Sequence, residues 1–501
     1  MHVEFHRVAG RTAVAKGVGS PRAAHGVAPA LLLLMILVFY VSTMRDGHIW
    51  DDDAAQYILH ARNIAEGRPY LDTGYIFNPE YANLGPPGYP PGFPLLLAPI
   101  WALRGLDLRA MKLLEAGFFV IGLGMVYACF RIDLSAAVCL ALVAILGFSP
   151  SYWDFKEFIA SEFPFLAFLF LAFLVIEHVY SRTGLPPVRF AVPIALCIVL
   201  AYSIRAVGGL LVPSLAAYEV LRRRRLSACT VVTCFVAVVL CGAEALWLHS
   251  AGGNLSLFQF RPIAVLNSVV TYAALARSFW RAGSFRALSW LVSCLVTALA
   301  GWAVFDRLRA VRQARLVEVF AVFYLPVLLA WSSKELRFLF PLFPLFLAYS
   351  LSGAERFIRR LPARWPLLVA GAALAAVAVC YSAQYRQLNW HSIQESFLDR
   401  DFLAVTGFVR DQTVESDVIL FRRPRFVPLL TGRRALTYAH ATGLGAFVRG
   451  IHPNYVIAAN SRAGVFASDA RFLWPSLRAH PDTMQLVFHN NGYSVFRALA
   501  W

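Results

Sequence analysis

Apolar runs long enough to cross a lipid bilayer recur along most of the chain. A transmembrane helix needs roughly 17–25 such residues, and 59% of the 501 residues are hydrophobic. In lipid, helices satisfy their own backbone hydrogen bonds, whereas open sheets do not. The sequence therefore predicts an all-α polytopic membrane protein with about eleven transmembrane helices. The predicted spans are 28–45, 112–130, 134–150, 160–180, 189–205, 206–221, 228–248, 287–305, 316–332, 337–353 and 366–384.

Arginine clusters between these spans predict how the chain is oriented. A shorter, Pro-flanked apolar run at 92–103 is typical of an interfacial segment. If this run stays on the outer surface and the N-terminus is inside, every dense arginine cluster falls inside, as the positive-inside rule expects. If 92–103 crossed the membrane, the later clusters would lie outside. We therefore expect a membrane protein with a cytoplasmic N-terminus and an exterior C-terminal region. The clusters are Arg222, Arg223, Arg224 and Arg225; Arg307, Arg309, Arg312 and Arg315; and Arg356, Arg359, Arg360 and Arg364.

Charge and cysteine usage exclude other classes of protein. The net charge is +17, but the arginines lie between apolar runs, which indicates orientation and contact with anionic lipids rather than nucleic-acid binding. All eight cysteines lie in apolar runs, which argues against a disulfide framework and a CxxC metal site. No convincing cleavage site follows the basic N-terminal segment, so we expect an uncleaved first helix.

The composition changes after about residue 384, where polar and apolar residues mix. Strands are predicted at 417–421, 455–459, 486–489 and 493–496, and Asn491-Gly492 predicts a type I′ hairpin turn. Helices fit 401–411 and 468–479. The chain is thus expected to comprise a cytoplasmic segment 1–27, a transmembrane domain 28–384 with a first exterior loop 46–111, and a small exterior α/β domain 385–501.

Three consecutive carboxylates follow the first predicted helix, at Asp51, Asp52 and Asp53. One aspartate would suffice to cap the helix that follows and to complement its dipole. Stacked like charges cost free energy, so we interpret at least one of them as functional. The helix that follows the aspartates is predicted to end at Gly67. A Pro-rich extended segment then leads into the interfacial run at 92–103.

The motifs of this loop resemble the first exterior loop of the GT-C glycosyltransferase superfamily. Bacterial protein-mannosyltransferase-like enzymes and the lipid A aminoarabinose transferase are the most similar groups. The resemblance rests on Asp53-x-x-x-Tyr57, Ala65-Glu-Gly67, Tyr89-Pro-Pro-Gly-Phe-Pro-Leu-Leu-Leu97, Ser161-Glu-Phe-Pro-Phe165, Arg337-Phe-Leu-Phe-Pro-Leu-Phe-Pro344 and Thr431-Gly-Arg433. Two positions depart from the pattern. Ala54 stands where many members have a second acid, and Tyr89 replaces the lysine of the lipid A enzymes.

The resemblance implies a polyprenyl-phosphate-sugar donor and transfer to an acceptor hydroxyl on the outer, periplasmic face of the bacterial inner membrane. It implies that Asp53 is the catalytic base and that Glu162 is the second catalytic acidic residue. A single displacement with inversion at the sugar is also implied. The acceptor class, whether lipid, glycan or protein, and the identity of the sugar stay open.

The chemistry of the residues agrees with this assignment. A polyprenyl phosphate is a good leaving group, so the reaction needs a base near the acceptor hydroxyl more than a strong acid. Arg205, Lys334 and Arg337 lie at predicted outer ends of spans, where they could bind phosphate or only snorkel to the interface. We expect Asp52, Tyr57 and Tyr89 to contribute to substrate binding as well. A divalent metal is left open by the sequence.

Two alternatives to the transferase have different sequence signatures. A transporter or flippase of lipid-linked glycans would bury polar groups near the membrane midplane and show internal repeats. Here the charges lie along one surface and the sequence shows no repeat. A non-catalytic scaffold or a polysaccharide polymerase is the third possibility.

Overall fold

The computed structural model describes residues 24–181, 184–248, 257–393, 396–438, 451–461, 466–479 and 481–499. Most of the predicted segment 1–27 lies outside this part of the chain. The membrane region contains the helices α1 (Ala24–Ser42), α2 (Asp52–Ala65), α3 (Gly92–Arg104), α4 (Leu108–Phe130), α5 (Ala136–Gly147), α6 (Pro150–Phe155), α7 (Glu162–Tyr180), α8 (Ala191–Ile204), α9 (Leu211–Arg223), α10 (Ala228–Trp247), α11 (Pro262–Ser278), α12 (Arg286–Leu308), α13 (Leu316–Ala330), α14 (Phe343–Ile358) and α15 (Pro366–Tyr385).

The helices give the chain the character of an integral membrane protein. Five of those described, α4, α7, α10, α12 and α15, are long and apolar enough to cross a bilayer, and further apolar helices are shorter. Every predicted span overlaps one helix, and the number of spans stays a prediction. The interfacial run forms α3, which begins at Gly92. A Cβ atom there would come within 2.7 Å of the Ser203 backbone, so glycine permits the close approach of α3 to α8.

The boundary predicted at Arg205 is a sharp break between two helices. α8 ends at Ile204, and Arg205 adopts an extended conformation with φ −148° and ψ 130°. A 3-10 turn, Ala206–Leu210, then leads into α9. The chain therefore changes from one helix to the next at Arg205.

Helix α11 lies between the predicted spans 228–248 and 287–305, where the sequence predicts no helix. At its start, the backbone of Gln259 donates to Ala330 at the end of α13, 2.7 Å away. Beyond its end, the Gln384 side chain at the end of α15 donates to the Phe279 carbonyl at 3.0 Å. Both ends of α11 are therefore held beside helix ends, those of α13 and α15, that the sequence predicts to be outer. Asn267 and Ser268 interrupt its apolar residues, which hides the helix from a search for apolar runs.

The C-terminal region contains α16 (Arg400–Gln412), α17 (Phe426–Thr431), α18 (Trp474–Ala479) and a five-stranded sheet. The strands are β1 (Val418–Leu420), β2 (Arg434–Leu436), β3 (Tyr455–Ala459), β4 (Met484–His489) and β5 (Tyr493–Ala498). Their order in the sheet is β2-β1-β3-β5-β4. β1 pairs in parallel with β2 and β3, whereas β5 is antiparallel to β3 and β4.

The β4–β5 hairpin is present, but the type I′ turn predicted for it is wrong. Neither Asn491 nor Gly492 has the positive φ that such a turn requires. Instead, the Asn490 side chain accepts hydrogen bonds from the backbone of Gly492 at 3.0 Å and of Tyr493 at 2.8 Å. The side-chain oxygen of Asn490 takes the place of a backbone carbonyl in the turn, so the turn needs no residue in the left-handed conformation.

The first exterior loop and the C-terminal sheet share one hydrophobic core. Trp50 is buried, and its ring packs edge-on against Phe402, Phe426 and Phe466, with centroids 4.7, 5.1 and 5.1 Å away. The backbone of Ala435 in β2 also exchanges hydrogen bonds with the loop on either side of Tyr75. The residues that follow Trp50 are therefore held against the C-terminal region.

Candidate active site

The three consecutive aspartates lie at the N-terminus of α2 and make three different contacts. Asp51 is the N-cap, and its carboxylate accepts from the Asp53 backbone at 3.2 Å. Asp52 forms an ion pair with Arg423 at 2.5 Å. Asp53 makes the contacts described next. The capping interpretation therefore holds for Asp51 alone, and the other two side chains make contacts that capping does not require.

Asp53 is held by one hydroxyl and two guanidinium groups. The Tyr89 hydroxyl donates to Asp53 Oδ1 at 2.6 Å, and Arg337 Nη2 donates to Oδ2 at 3.0 Å. Arg425 Nη1 lies 3.5 Å from Oδ1. Burial alone would raise the pKa of Asp53, but Arg337, Arg425 and the Tyr89 hydroxyl outweigh it, so the pKa lies below its ordinary value. Asp53 is thus ionised at neutral pH, and its side chain keeps 31% exposure.

Glu162, in the first turn of α7, links two arginines. Its Oε1 lies 2.5 Å from Arg205 Nη1 and 3.5 Å from Arg337 Nε. Arg205 also donates to the Ser161 hydroxyl at 3.1 Å, which hydrogen-bonds the Tyr57 hydroxyl at 3.0 Å. A continuous set of contacts therefore runs from Tyr57 through Glu162 and Arg337 to Asp53.

The structure brings together six of the eight predicted site residues and places two apart. The six are Asp53, Glu162, Tyr57, Tyr89, Arg205 and Arg337. Asp52 is adjacent but turns to Arg423. Lys334 donates to the Leu329 carbonyl at 3.2 Å, 5.8 Å from the Tyr272 ring. Among the described residues, Lys334 makes no ion pair with the acids of the site.

Arg425 is the main site residue that sequence reasoning missed. It is fully buried and donates to the Tyr89 hydroxyl at 2.8 Å and to the Gly85 carbonyl at 3.2 Å. It also donates to the carbonyl of Leu84. The sequence signal was Arg422-Arg423-Pro-Arg425 directly after β1, a basic cluster within an otherwise mixed segment.

Glu335 and His60 were also missed. Glu335 Oε2 lies 2.7 Å from Arg337 Nε, so Arg337 contacts three carboxylates. His60 Nδ1 donates to the Tyr70 carbonyl at 2.9 Å, and Nε2 accepts from the Tyr89 backbone at 3.3 Å. Burial lowers the pKa of His60 to about 4. The ring is therefore neutral, with one tautomer, and fixes the backbone that carries the Tyr89 hydroxyl.

A cavity of about 590 Å³ adjoins this network. Its polar lining includes Asp51, Glu335, Arg337, Asp154 and Arg281, and Phe155, Phe158 and Phe340 supply apolar walls. One carboxylate oxygen of Asp51 is buried without a hydrogen-bond partner. Burial and the neighbouring charge of Asp53 raise the pKa of Asp51 to about 7. Asp51, which lines the cavity, thus titrates near neutrality, whereas the neighbouring Asp53 stays ionised.

The described residues contain no group of three or more His, Cys, Asp or Glu side chains placed to hold a metal ion. The candidate site is instead built of alternating carboxylates and guanidinium groups. Arg205, Arg337 and Arg425 face Asp53, Glu162 and Glu335. Because the opposite charges are balanced, such a network holds each charged group in position and carries little net charge.

No family model and no curated protein matches the sequence, but solved structures match its fold. An oligosaccharyltransferase of Archaeoglobus fulgidus, tethered with an acceptor peptide, gives a TM-score of 0.61 at 10% identity over 96% of this chain and 74% of that one. The mycobacterial arabinofuranosyltransferase AftD gives 0.52 at 13% identity over 96% and 42%. The fold is that of the GT-C glycosyltransferases. ArnT of Cupriavidus metallidurans, bound to undecaprenyl phosphate, shares it at a TM-score of 0.57 and 13% identity, over 96% of this chain and 99% of that one.

The resemblance drawn from the sequence motifs is thereby confirmed at the level of the fold.

Proposed function

We propose that this protein is a membrane glycosyltransferase that moves a sugar from a polyprenyl-phosphate donor to an acceptor hydroxyl. The observation that carries the proposal is Asp53, kept ionised by Arg337, Arg425 and Tyr89 next to a cavity of about 590 Å³. A structural neighbour, ArnT, holds undecaprenyl phosphate, which supports a lipid-linked donor. The acceptor is a lipid, a glycan or a protein of the cell envelope.

In the reaction, the acceptor oxygen attacks the anomeric carbon of the donor sugar. The bond from that carbon to the phosphate oxygen breaks, and its electron pair leaves with the polyprenyl phosphate. The acceptor proton passes to Asp53. Because Asp53 has a lowered pKa, it is a weak base that takes the proton late, when the attacking oxygen has become acidic. One displacement inverts the anomeric configuration.

Glu162 acts on the arginines in this proposal. Its carboxylate lies between Arg205 and Arg337, so it holds two guanidinium groups at the site where phosphate charge develops. Positioned guanidinium groups stabilise a departing phosphate in a water-poor site. Tyr57 supports Arg205 through Ser161. Tyr89 orients Asp53.

The proposal includes the orientation inferred from the arginine clusters. The N-terminal segment 1–27 is cytoplasmic, about eleven helices cross the inner membrane, and residues 385–501 form a periplasmic domain. The aspartates, Glu162 and the cavity then all lie at the outer surface, where a lipid-linked sugar is accessible and nucleotide sugars are not.

Mass spectrometry of envelope glycans and glycolipids tests the function. The strains are wild type, a deletion, and the deletion complemented with Asp53→Asn or Asp133→Asn at matched expression. Asp133 is a matched control, because it pairs with an arginine, Arg315, at 3.1 Å but lies at the predicted inner surface. We expect one sugar to be missing from the deletion and from Asp53→Asn, and to be restored by Asp133→Asn.

Other outcomes would contradict the proposal. If Asp53→Asn restores the sugar, Asp53 is not the base. If the deletion leaves every glycan unchanged, the protein is not a transferase of this kind. Accumulation of a complete lipid-linked glycan that is not exported would instead indicate a transporter.

A further inference from the structure

A second cavity, of about 450 Å³, lies where α11 ends and α12 begins. It is lined by Arg277, Arg281, Arg286 and Trp290, together with small residues. Ser278 and Arg281 line this cavity and the one beside Asp51 and Arg337. The two cavities are therefore neighbours.

The two cavities differ in charge. The second has three guanidinium groups and no carboxylate in its lining. The first has three carboxylates, Asp51, Asp154 and Glu335, and two guanidinium groups, including Arg281. In the network around Asp53, three carboxylates are matched by three arginines. The second cavity is thus the part of the site with excess positive charge.

Nothing in the described part of the chain neutralises these arginines. None of the three has an Asp or Glu oxygen within 4 Å there, and all three side chains are exposed. The Arg277 guanidinium lies 4.3 Å from the centroid of the Trp290 ring, which orients it without altering its charge. Arg286 is the first residue of α12, where the helix dipole disfavours a cation. A bound anion would offset both this effect and the mutual repulsion of the three charges.

We propose that the second cavity binds an anionic group, a phosphate or a carboxylate, that belongs to the acceptor. This inference rests on the proposed transferase function and adds the class of acceptor to it. The donor phosphate is bonded directly to the anomeric carbon, so it must lie beside Asp53 and Arg337. A group in the second cavity is farther from Asp53, because Asp51 and Arg337 line only the first. We assign an anion there to the other substrate, whose hydroxyl would then meet Asp53 beside Arg337, which lines the first cavity and pairs with Asp53.

Binding of inorganic phosphate and of undecaprenyl phosphate to the full chain tests the inference. The protein is placed in phosphatidylcholine nanodiscs, and the triple variant Arg277→Gln/Arg281→Gln/Arg286→Gln is compared with Arg261→Gln. Arg261 is a matched control, since it is an exposed arginine at the opposite end of α11. We expect the triple variant to weaken inorganic phosphate binding by about tenfold. Arg261→Gln should not change it, and undecaprenyl phosphate should bind both variants like wild type.

Three results would overturn the inference. Phosphate binding that is absent, or that ignores the three arginines, removes the anion site. A parallel loss of undecaprenyl phosphate binding in the triple variant would assign the anion to the donor. Displacement of inorganic phosphate by nanodiscs that contain phosphatidylglycerol would assign the site to membrane lipid headgroups.

The failure of this inference is distinguishable from failure of the proposed function. Asp53→Asn should abolish sugar transfer in cells yet leave inorganic phosphate binding intact, because Asp53 lies outside the second cavity. Once the missing glycoconjugate is identified by mass spectrometry, its acceptor should carry a phosphate or a carboxylate. A neutral acceptor would overturn the assignment of the anion while leaving the transferase function in place.

Discussion

Arg425 and Tyr89 are 336 positions apart in the chain, and the guanidinium of one donates to the hydroxyl of the other at 2.8 Å. The same hydroxyl donates to Asp53 at 2.6 Å. A side chain of the C-terminal region thereby sets the direction in which the Tyr89 proton points. The C-terminal region therefore helps to orient Asp53, the proposed base.

Arg425→Lys is expected to lower sugar transfer at least about tenfold. Lysine keeps the positive charge, but it lacks the planar fork that contacts the Tyr89 hydroxyl and the Leu84 and Gly85 carbonyls together. Sugar incorporation measured by mass spectrometry checks this. Arg471→Lys, at an exposed arginine of the same region, should be silent. Full activity of Arg425→Lys would show that Asp53 does not depend on this contact.

Tyr89→Phe should lower activity by about tenfold, because a hydrogen bond to a charged group contributes about 1.5–3 kcal/mol. Loss of the hydroxyl raises the pKa of Asp53 toward its ordinary value. The acid limb of the pH–activity profile should therefore move to higher pH. The stability that Asp53 contributes above its ordinary pKa, and loses as pH falls, should also decrease. Tyr349→Phe removes an equivalent bond, 2.6 Å long, to Glu318. It should leave the profile unchanged.

Asp51→Asn is expected to raise thermal stability at pH 8 but not at pH 4. The folded pKa of Asp51, about 7, lies above its ordinary value. The folded state therefore holds a proton that the unfolded state releases, and stability falls as pH rises through this window. Asparagine removes that loss and still caps α2. Melting in detergent across pH checks the prediction. Asp107→Asn, at a cap whose pKa is lowered by the Ala110 N–H, should not gain stability.

Gly92→Ala should destabilise the protein by about 1–3 kcal/mol. The new methyl group would meet the Ser203 carbonyl group at 2.7 Å and would push α3 away from the end of α8, next to Arg205. Gly242→Ala is the matched helical control, because nothing lies within 4 Å of its added Cβ atom. Thermal unfolding of both variants measures the difference. Equal melting temperatures would mean that moving α3 away from the end of α8 does not destabilise the protein.

Much of the site could be predicted because its residues share a surface. Four of them lie at predicted outer ends of helices: Asp53, Glu162, Arg205 and Arg337. Attraction between their opposite charges brings them together. Lys334 satisfied the same criterion, yet its side chain bonds the Leu329 carbonyl. Sequence position fixes the depth of a residue in the membrane but not the direction of its side chain.

What the sequence did not predict depends on contacts across the chain. Arg425 enters the site because Trp50 and the aromatic residues around it dock the C-terminal sheet on the first loop. No local pattern encodes that docking. The type of the hairpin turn was predicted wrongly for the opposite reason, since a single side chain, Asn490, replaces the backbone geometry that Asn-Gly usually provides.

The burial of Arg425 beside Asp53 has a consequence for biosynthesis. A ribosome completes the membrane helices before it has made the residues that order Tyr89 and Asp53. A partly synthesised or truncated chain can therefore occupy the membrane without a finished centre. The proposed transferase would therefore become competent for sugar transfer only after its C-terminal region has been made and has docked on the first loop.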